Sequence, residues 1–330
     1  MKAVRIVPGP EGGRLGIHEV PVPRPEAGQV LVRVAASGLN RGEINQVRRA
    51  RTGDPAPAGV EFAGMVEGIG DGVTGWQQGD AVMGHGNGGQ AEYVLAAARA
   101  LMPVPPGMPW LDAAALPNVF VTAHDALVTN GEFKSGDTVL VNAASSGIGL
   151  AAIQIASQLG AGQIYASSRS PEKVRKLCEY GVTHAIDLSR QDQVDAVMSG
   201  TAGRGVDVIV DSVGGTVFEA NLKSLAVKGR LVNIGRLGSS SATIDLEALW
   251  MKRLKLMGVT FRTRTEEERL ACIEACARDL LPLLRAGRIR FPIDRSFRMD
   301  EIAAAHDYMQ ADRHFGKIVI AIDPALPAPR

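Results

Sequence analysis

Cysteine is scarce in this 330-residue chain, which has three, at positions 178, 272 and 276. That is too few, and too clustered, for a disulfide framework, and it fits a reducing compartment. An excess of charge of one sign is also lacking. Thirty-six Lys and Arg face thirty-five Asp and Glu, a net charge of +1, so no global field would draw the protein to nucleic acid or to an anionic membrane. A small-molecule partner is expected instead. No apolar run is long enough to cross a bilayer, and the opening MKAVRIVPGPEGG is broken by charges, Pro and Gly before a secretory apolar core could form. These absences predict a cytoplasmic address. What is there is ordinary globular content, 45% hydrophobic and 22% charged residues, at a length that predicts two domains, each able to bury a core.

The first hundred or so residues read as short strands (Lys2 to Val7, Gln29 to Ser37, Ala63 to Ile69, Asp80 to Met83, Gln90 to Leu95) separated by turn clusters such as PGPEGG and GDGVTG. This predicts a small β-rich domain over 1–115. A stiff PVPPGMP connection leads into a helical pattern over Ala113 to Asn130. From Asp137, β-type and helical runs alternate, and several strands (VDVIVDSVG, GRLVNIG) are near-continuously apolar, as in parallel strands covered on both faces. Residues 116–260 are therefore expected to form an α/β, doubly wound parallel sheet of six strands. A helix over Glu266 to Arg285, a short strand near Pro292, a helix over Asp300 to Gln310 and a strand over Lys317 to Ile322 follow. Residues 261–330 are expected to return to the first domain.

Strand, small-residue turn and helix meet in TVLVNAASSGIGLAAIQIASQLGA. Ala143, Ser145, Ser146, Gly147 and Gly149 let the backbone approach a diphosphate at the helix start, where free N–H groups and the helix dipole favour an anion. Such turns also join strands to helices for packing alone; the position at the first βαβ unit of a six-stranded sheet decides for a Rossmann dinucleotide site. Ser146 stands where the fingerprint usually has its middle glycine. At the end of the second strand an acidic residue would grip the ribose 2′-hydroxyl of NAD, and none is present. The stretch is YASSRSPEK, whose Ser168, Arg169 and Lys173 suit a 2′-phosphate and point to NADPH, unless Arg169 and Lys173 are ordinary solvated charges. The string AASSGIG also occurs in short-chain dehydrogenases, but the four tyrosines are followed four residues on by Ala97, Arg169, His184 and Asp312, so their Tyr-x-x-x-Lys is missing.

Blocks along the whole chain, VRVAASGLNRGEINQVRR, GVEFAGMVEGIGDGVTGWQQGDAVMG, LPNVFVTAHDAL, the small-residue loop, GVDVIVDSVGG, GRLVNIG, LMGVTF and FGKIVIAI, resemble the medium-chain dehydrogenase/reductase superfamily. The pattern is most similar to its zinc-independent quinone oxidoreductases. The resemblance implies a GroES-like β-rich catalytic domain followed by the Rossmann domain. Zinc alcohol dehydrogenases of this fold hold the metal with Cys, His and Cys. The matching positions here carry Asn40 and Val60, and residues 1 to 177 contain no cysteine, so no metal is expected. Cys272 and Cys276 read as helix packing, His85 as a loop residue and His124 as a helix residue.

By position in the resembling family, Asn40 and Thr122 are implied near nicotinamide and substrate. Asn40 equally suits an N-cap of a helix beginning near Glu43, and Thr122 a bond to its own helix backbone. Relatives often have a proton-donating Tyr at the position of Asn45, so Tyr93 is the substitute candidate, with core packing as its alternative. Glu61, next to the lost zinc ligand, suits a buried ion-pair partner. Ser145, Ser146, Gly147 and Ile148 correspond to the phosphate loop, Gly235 and Arg236 to the ribose-lining segment, and Val259, Thr260 and Phe261 to the carboxamide-binding backbone. Lys317 matches a lysine near the coenzyme, or else a surface charge at a strand end.

Without a Lewis acid, a conjugated acceptor is the better hydride acceptor. The resemblance therefore implies NADPH-dependent reduction of quinones or enones. One rival is an enoyl-thioester reductase, for which Arg41, Arg48, Arg49 and Arg51 would offer a carrier phosphate a basic mouth if they are not a solvated face. The other is an NADPH-binding protein without turnover. The family's usual homodimer would pair the edge strands Lys255 to Phe261.

Overall fold

The computed structural model of the protein describes residues 1–329. They form two compact units: Met1–Asn118 with Ile273–Arg285 and the segment from Phe291 onward, and Val119–Cys272 with Ala286–Arg290.

The first unit is built on a seven-stranded sheet. Its path runs Ile293–Arg298, Lys317–Ala321, Gln29–Leu39, Glu61–Ile69, Ala81–His85, Leu101–Pro103, and Tyr93–Ala97 also pairs with Gln29–Leu39. Val30, Val32 and Val34 alternate onto one face and pack with Phe62, Val66, Val82, Val94 and Leu101. Near the other end of the sheet, Leu39, Ile44, Phe297, Ile302, Ile318 and Ile320 make a second core. The strand Lys317–Ala321 lies antiparallel to Gln29–Leu39, with Ile318 opposite Leu39. A small sheet of Arg14–Glu19, Lys2–Val7 and Ala56–Pro57 completes the unit.

The second unit holds six strands in the spatial order His184–Asp187, Gln163–Ser168, Thr138–Val141, Val206–Asp211, Leu225–Asn233, Lys255–Gly258. All neighbouring pairs are parallel. This is a doubly wound Rossmann sheet, as the apolar runs predicted; its strands stay parallel, but successive ones are added first on one side of Thr138–Val141 and then on the other, which opens a crevice at their carboxyl ends. Leu140, Tyr165, Ile209, Leu222 and Leu231 are buried in its core.

Several elements differ from expectation. The helix expected over Ala113 to Asn130 is three: Trp110–Ala114, Pro117–His124 and a π-helical turn Asp125–Asn130. Pro117 has no N–H with which to extend the first helix, and its fixed φ suits the first position of a new one. His85, expected in a loop, ends a strand because Glu61 pairs opposite it. The strand expected from Gln90 begins only at Tyr93, since the backbone of Gln90 bonds to Val4 and Ala58 instead of to Gln29–Leu39. The strand Arg14–Glu19 was not expected, since only Leu15 and Ile17 alternate in it; pairing with Lys2–Val7 makes it one.

Candidate functional site

The helix Arg41–Arg49 begins at Asn40, whose backbone is extended at φ −131° and ψ 145°. Glu43 Oε1 accepts from the Asn40 N–H at 3.0 Å, the glutamate half of a capping box. The N-cap alternative for Asn40 therefore holds for its backbone, while its side chain is engaged elsewhere. Asn40 Nδ2 donates to Glu61 Oε1 at 2.8 Å and to Glu43 Oε1 at 3.2 Å. Asn40 Oδ1 accepts from Lys317 Nζ at 2.6 Å and from Asn118 Nδ2 at 2.8 Å.

Lys317 and Glu61 form an ion pair of 2.5 Å with side chains 2% and 0% exposed. The surface-charge alternative for Lys317 is thereby removed, and the ion-pair reading of Glu61 is what the structure contains. Glu61 Oε2 also accepts from the Asn118 backbone N–H at 2.7 Å. Gly38 leaves the room for this carboxylate, because a Cβ there would collide with Glu61 Oε1. Gln90 Nε2 donates to Glu43 Oε2 at 2.7 Å, and His85 Nε2 lies 3.0 Å from Asn118 Oδ1. One ammonium thus faces two carboxylates in a dry interior. Burial pushes the Glu43 carboxyl up to about 7, against the opposing pull of Lys317 and the hydrogen bond from Asn40.

Metal ligation needs several lone-pair donors converging on one point. Asn40 Oδ1 already accepts from an ammonium, Val60 has no donor atom in its side chain, and among the described residues no group of three or more His, Cys, Asp or Glu could hold a metal ion. The residues present do not fit a zinc site.

Among the described residues, two other candidates make no hydrogen bond to this cluster. Thr122 is half-buried on the Pro117–His124 helix, four residues beyond Asn118. Tyr93 is paired opposite Arg33, well before Asn40 along the same strand, and no hydrogen bond joins it to Asn40. Asn118 and Gln90 were not singled out from the sequence. A polar residue directly after the helix-starting Pro117 was the available signal for Asn118; nothing local marked Gln90.

In the second unit, the strand Thr138–Val141 turns through Ala143, at φ +50°, into the helix Gly147–Gln158. Ser146 caps that helix, its Oγ accepting from Gly149 N at 3.1 Å. The hydroxyl keeps its hydrogen for donation, and the N–H groups of Gly147 and Ile148, at the first turn, have no intrahelical acceptor. A Cβ at Gly149 would sit 2.7 Å from the carbonyl oxygens of Ala143 and Ala144, so glycine lets helix and turn close up. Ser145 precedes the cap. The loop therefore fits a dinucleotide diphosphate.

At the end of Gln163–Ser168, Ser168 is buried and its Oγ accepts from Ser170 N at 3.3 Å, while Arg169 is exposed. Ser170 caps the next helix through Lys173 N, bringing Lys173 into its first turn. Across the switch, Asp211 accepts from the N–H groups of Val213 and Gly214 and from Asn233 Nδ2, and Asn233 Nδ2 also donates to the Gly235 carbonyl. These bonds hold the segments before and at Gly235 and Arg236 together. Val259 N donates to the Asn233 carbonyl at 3.0 Å; Thr260 is exposed, and the guanidinium of Arg264 stacks 5.0 Å over the Phe261 ring.

The alcohol dehydrogenase GroES-like domain family matches residues 26–106, and the zinc-binding dehydrogenase family matches residues 147–275. Quinone oxidoreductase-like protein 2 of Bos taurus is 31% identical over 313 residues, covering 93% of this chain and 89% of that protein. The chain belongs to the medium-chain dehydrogenase/reductase superfamily, in its quinone oxidoreductase-like family. It is an oxidoreductase of that superfamily. Among solved structures, a mycobacterial protein complexed with NADPH is 27% identical with TM-score 0.86, covering 97% of this chain and 100% of that one. The CurK enoyl reductase is 29% identical with TM-score 0.84, covering 98% and 100%.

Proposed function

We propose that this oxidoreductase reduces quinones or α,β-unsaturated carbonyl compounds with NADPH and without a metal. The observation that carries the reading is the fully hydrogen-bonded centre at Asn40, where the Lys317 ammonium and amide groups stand in the place of a metal donor set. With these donors engaged by one another and no Lewis acid among them, an acceptor that spreads the incoming charge over its own π system suits the centre better than one that forms a localised alkoxide. Serine and arginine at the end of the second strand, Ser168 and Arg169 with Lys173 behind them, support NADPH over NADH.

When bound, the coenzyme supplies the hydride. Ser146, Gly147 and Ile148 would hold its diphosphate, Gly235, Arg236 and Val259 to Phe261 its nicotinamide half, and Thr122 and Lys317 would lie near the ring. The likeness to a mycobacterial protein complexed with NADPH supports the same choice. A homodimer and a cytoplasmic location belong to the same proposal. No helix among the described residues is long and apolar enough to cross a membrane.

The test is coenzyme oxidation by purified protein with phenanthrenequinone or an enone, followed by absorbance. Turnover well above background is expected with NADPH. A flat trace across a broad panel of acceptors sinks the reading in favour of a coenzyme-binding role without turnover. The enoyl-thioester reading is favoured by the likeness to an enoyl reductase. Its proposed basic mouth is weakened by the arginines themselves. Arg41 binds Asp312 and the Met309 carbonyl, Arg48 binds Gln310, and Arg51 binds the Pro10 carbonyl.

A further inference from the structure

The sheet of the second unit is parallel throughout, so the strands Thr138–Val141 and Lys255–Gly258 end on the same edge. The small-residue loop follows the first of them. Ser168, proposed for the 2′-phosphate, ends the strand on one side of that loop. The other half of a dinucleotide then extends the opposite way, toward the ends of Val206–Asp211, Leu225–Asn233 and Lys255–Gly258. Val259 is fastened at that edge, its N–H donating to the Asn233 carbonyl at 3.0 Å.

The residues after Val259 are gathered by the side chain of Arg264. Its Nε donates to the Thr260 carbonyl at 3.2 Å, and its guanidinium lies 5.0 Å from the centre of the Phe261 ring. The same guanidinium reaches out of the loop, where Nη2 donates to Asp125 Oδ2 at 2.6 Å, with side chains 20% and 1% exposed. Asp125 opens the π-helical turn Asp125–Asn130, which packs against the strands Val206–Asp211 and Leu225–Asn233. Asn130 Nδ2 steadies it, donating to the Asp125 carbonyl at 2.8 Å and to Oδ1 at 3.2 Å. Cys272 closes the group, its Sγ accepting from Arg264 Nη1 and donating to Asp125 Oδ1 at 3.5 Å. Burial, with the Asp125 charge behind it, pushes the Cys272 thiol up to about 11, so the hydrogen it donates stays on sulfur.

We propose that the Asp125–Arg264 pair is a clamp that holds Val259 to Phe261 ready for the nicotinamide half of the coenzyme. Arg264 is a positioning residue, acting through the loop. The proposal rests on the coenzyme reading of the second unit and adds two residues to it. Its physical content is pre-organisation: a loop already held in its binding conformation has little freedom left to lose, whereas a released loop must be ordered by the ligand at a cost in affinity. That cost falls only on a ligand that reaches the loop.

Calorimetric titration with two ligands separates the halves without turnover. NADP⁺ carries the nicotinamide, and 2′,5′-ADP carries the adenosine and the 2′-phosphate alone. Arg264→Met should weaken NADP⁺ binding by about tenfold and leave 2′,5′-ADP binding unchanged. A merely structural role would weaken both ligands alike. Because Arg264→Met strands the Asp125 charge in the interior, the double variant Asp125→Asn, Arg264→Met, which removes both charges, is titrated beside it and should show the same split. Equal losses for the two ligands, or unaltered NADP⁺ affinity in the double variant, overturn the clamp while the coenzyme reading stands. Wild-type protein without affinity for NADP⁺ overturns both.

Discussion

Lys317, on the last strand of the chain, and Glu61, on the fourth strand of the first sheet's path, pair at 2.5 Å with both side chains out of reach of water. A buried pair contributes little net stability over an apolar one, yet removing one partner leaves an uncompensated charge. Lys317→Met should therefore destabilise the protein by about 3–5 kcal/mol, and adding Glu61→Gln should recover part of that loss. Urea unfolding of the two variants measures this. Equal losses in the single and double variants would show that the pair is not coupled.

Glu43 gives the cluster a pH dependence. Its carboxyl is raised by burial from 4.5 to about 7 in the folded protein. The native state therefore holds this proton more tightly than the unfolded chain. Its contribution to stability is full below about 4.5, falls as pH rises, and is gone above about 7. The change has a ceiling on the order of 3 kcal/mol. Glu43→Gln should flatten that slope, as followed by chemical denaturation at several pH values. A variant with the wild-type slope would assign the dependence to other groups.

Arg169 is exposed at the end of the second Rossmann strand, beside the Ser168 hydroxyl. A charge-assisted bond to a 2′-phosphate is worth roughly a factor of ten or more in affinity. Arg169→Ala should raise KM for NADPH about tenfold and leave KM for NADH unchanged. Equal effects on the two coenzymes would remove Arg169 from the 2′-phosphate site.

Lys255–Gly258 is the edge of the six-stranded sheet. In the preceding helix, Leu246, Trp250 and Met251 are 65%, 73% and 60% exposed, more apolar side chain in one short element than scattered exposure accounts for. Light scattering should give twice the chain mass at micromolar protein, and Trp250→Glu should shift it toward the monomer. A wild-type monomer would remove the dimer.

Much of this molecule could be read one residue type at a time. Near-continuous apolar strands alternating with helices specified the parallel sheet, because only strands covered on both faces exclude polar side chains. The turn at Ser146 and Gly149 was legible for a similar reason: a small residue is needed wherever backbone approaches backbone. The one helix expected across Pro117 failed because the apolar period continues through a residue that cannot donate.

By itself the sequence determined that the chain has two compact parts' worth of apolar residues, a dinucleotide-type turn, and neither Cys nor His at the two positions, 40 and 60, that match zinc ligands of the zinc alcohol dehydrogenases. The tertiary structure alone decided what stands around Asn40. Glu61, Gln90, Asn118 and Lys317 come from segments far from it in the chain, and the orientation of the Asn40 amide depends on a donor-only ammonium brought from residue 317 to residue 40. No local pattern encodes a contact across that separation, because periodicity and spacing report the face a residue takes and not the side chain it meets there.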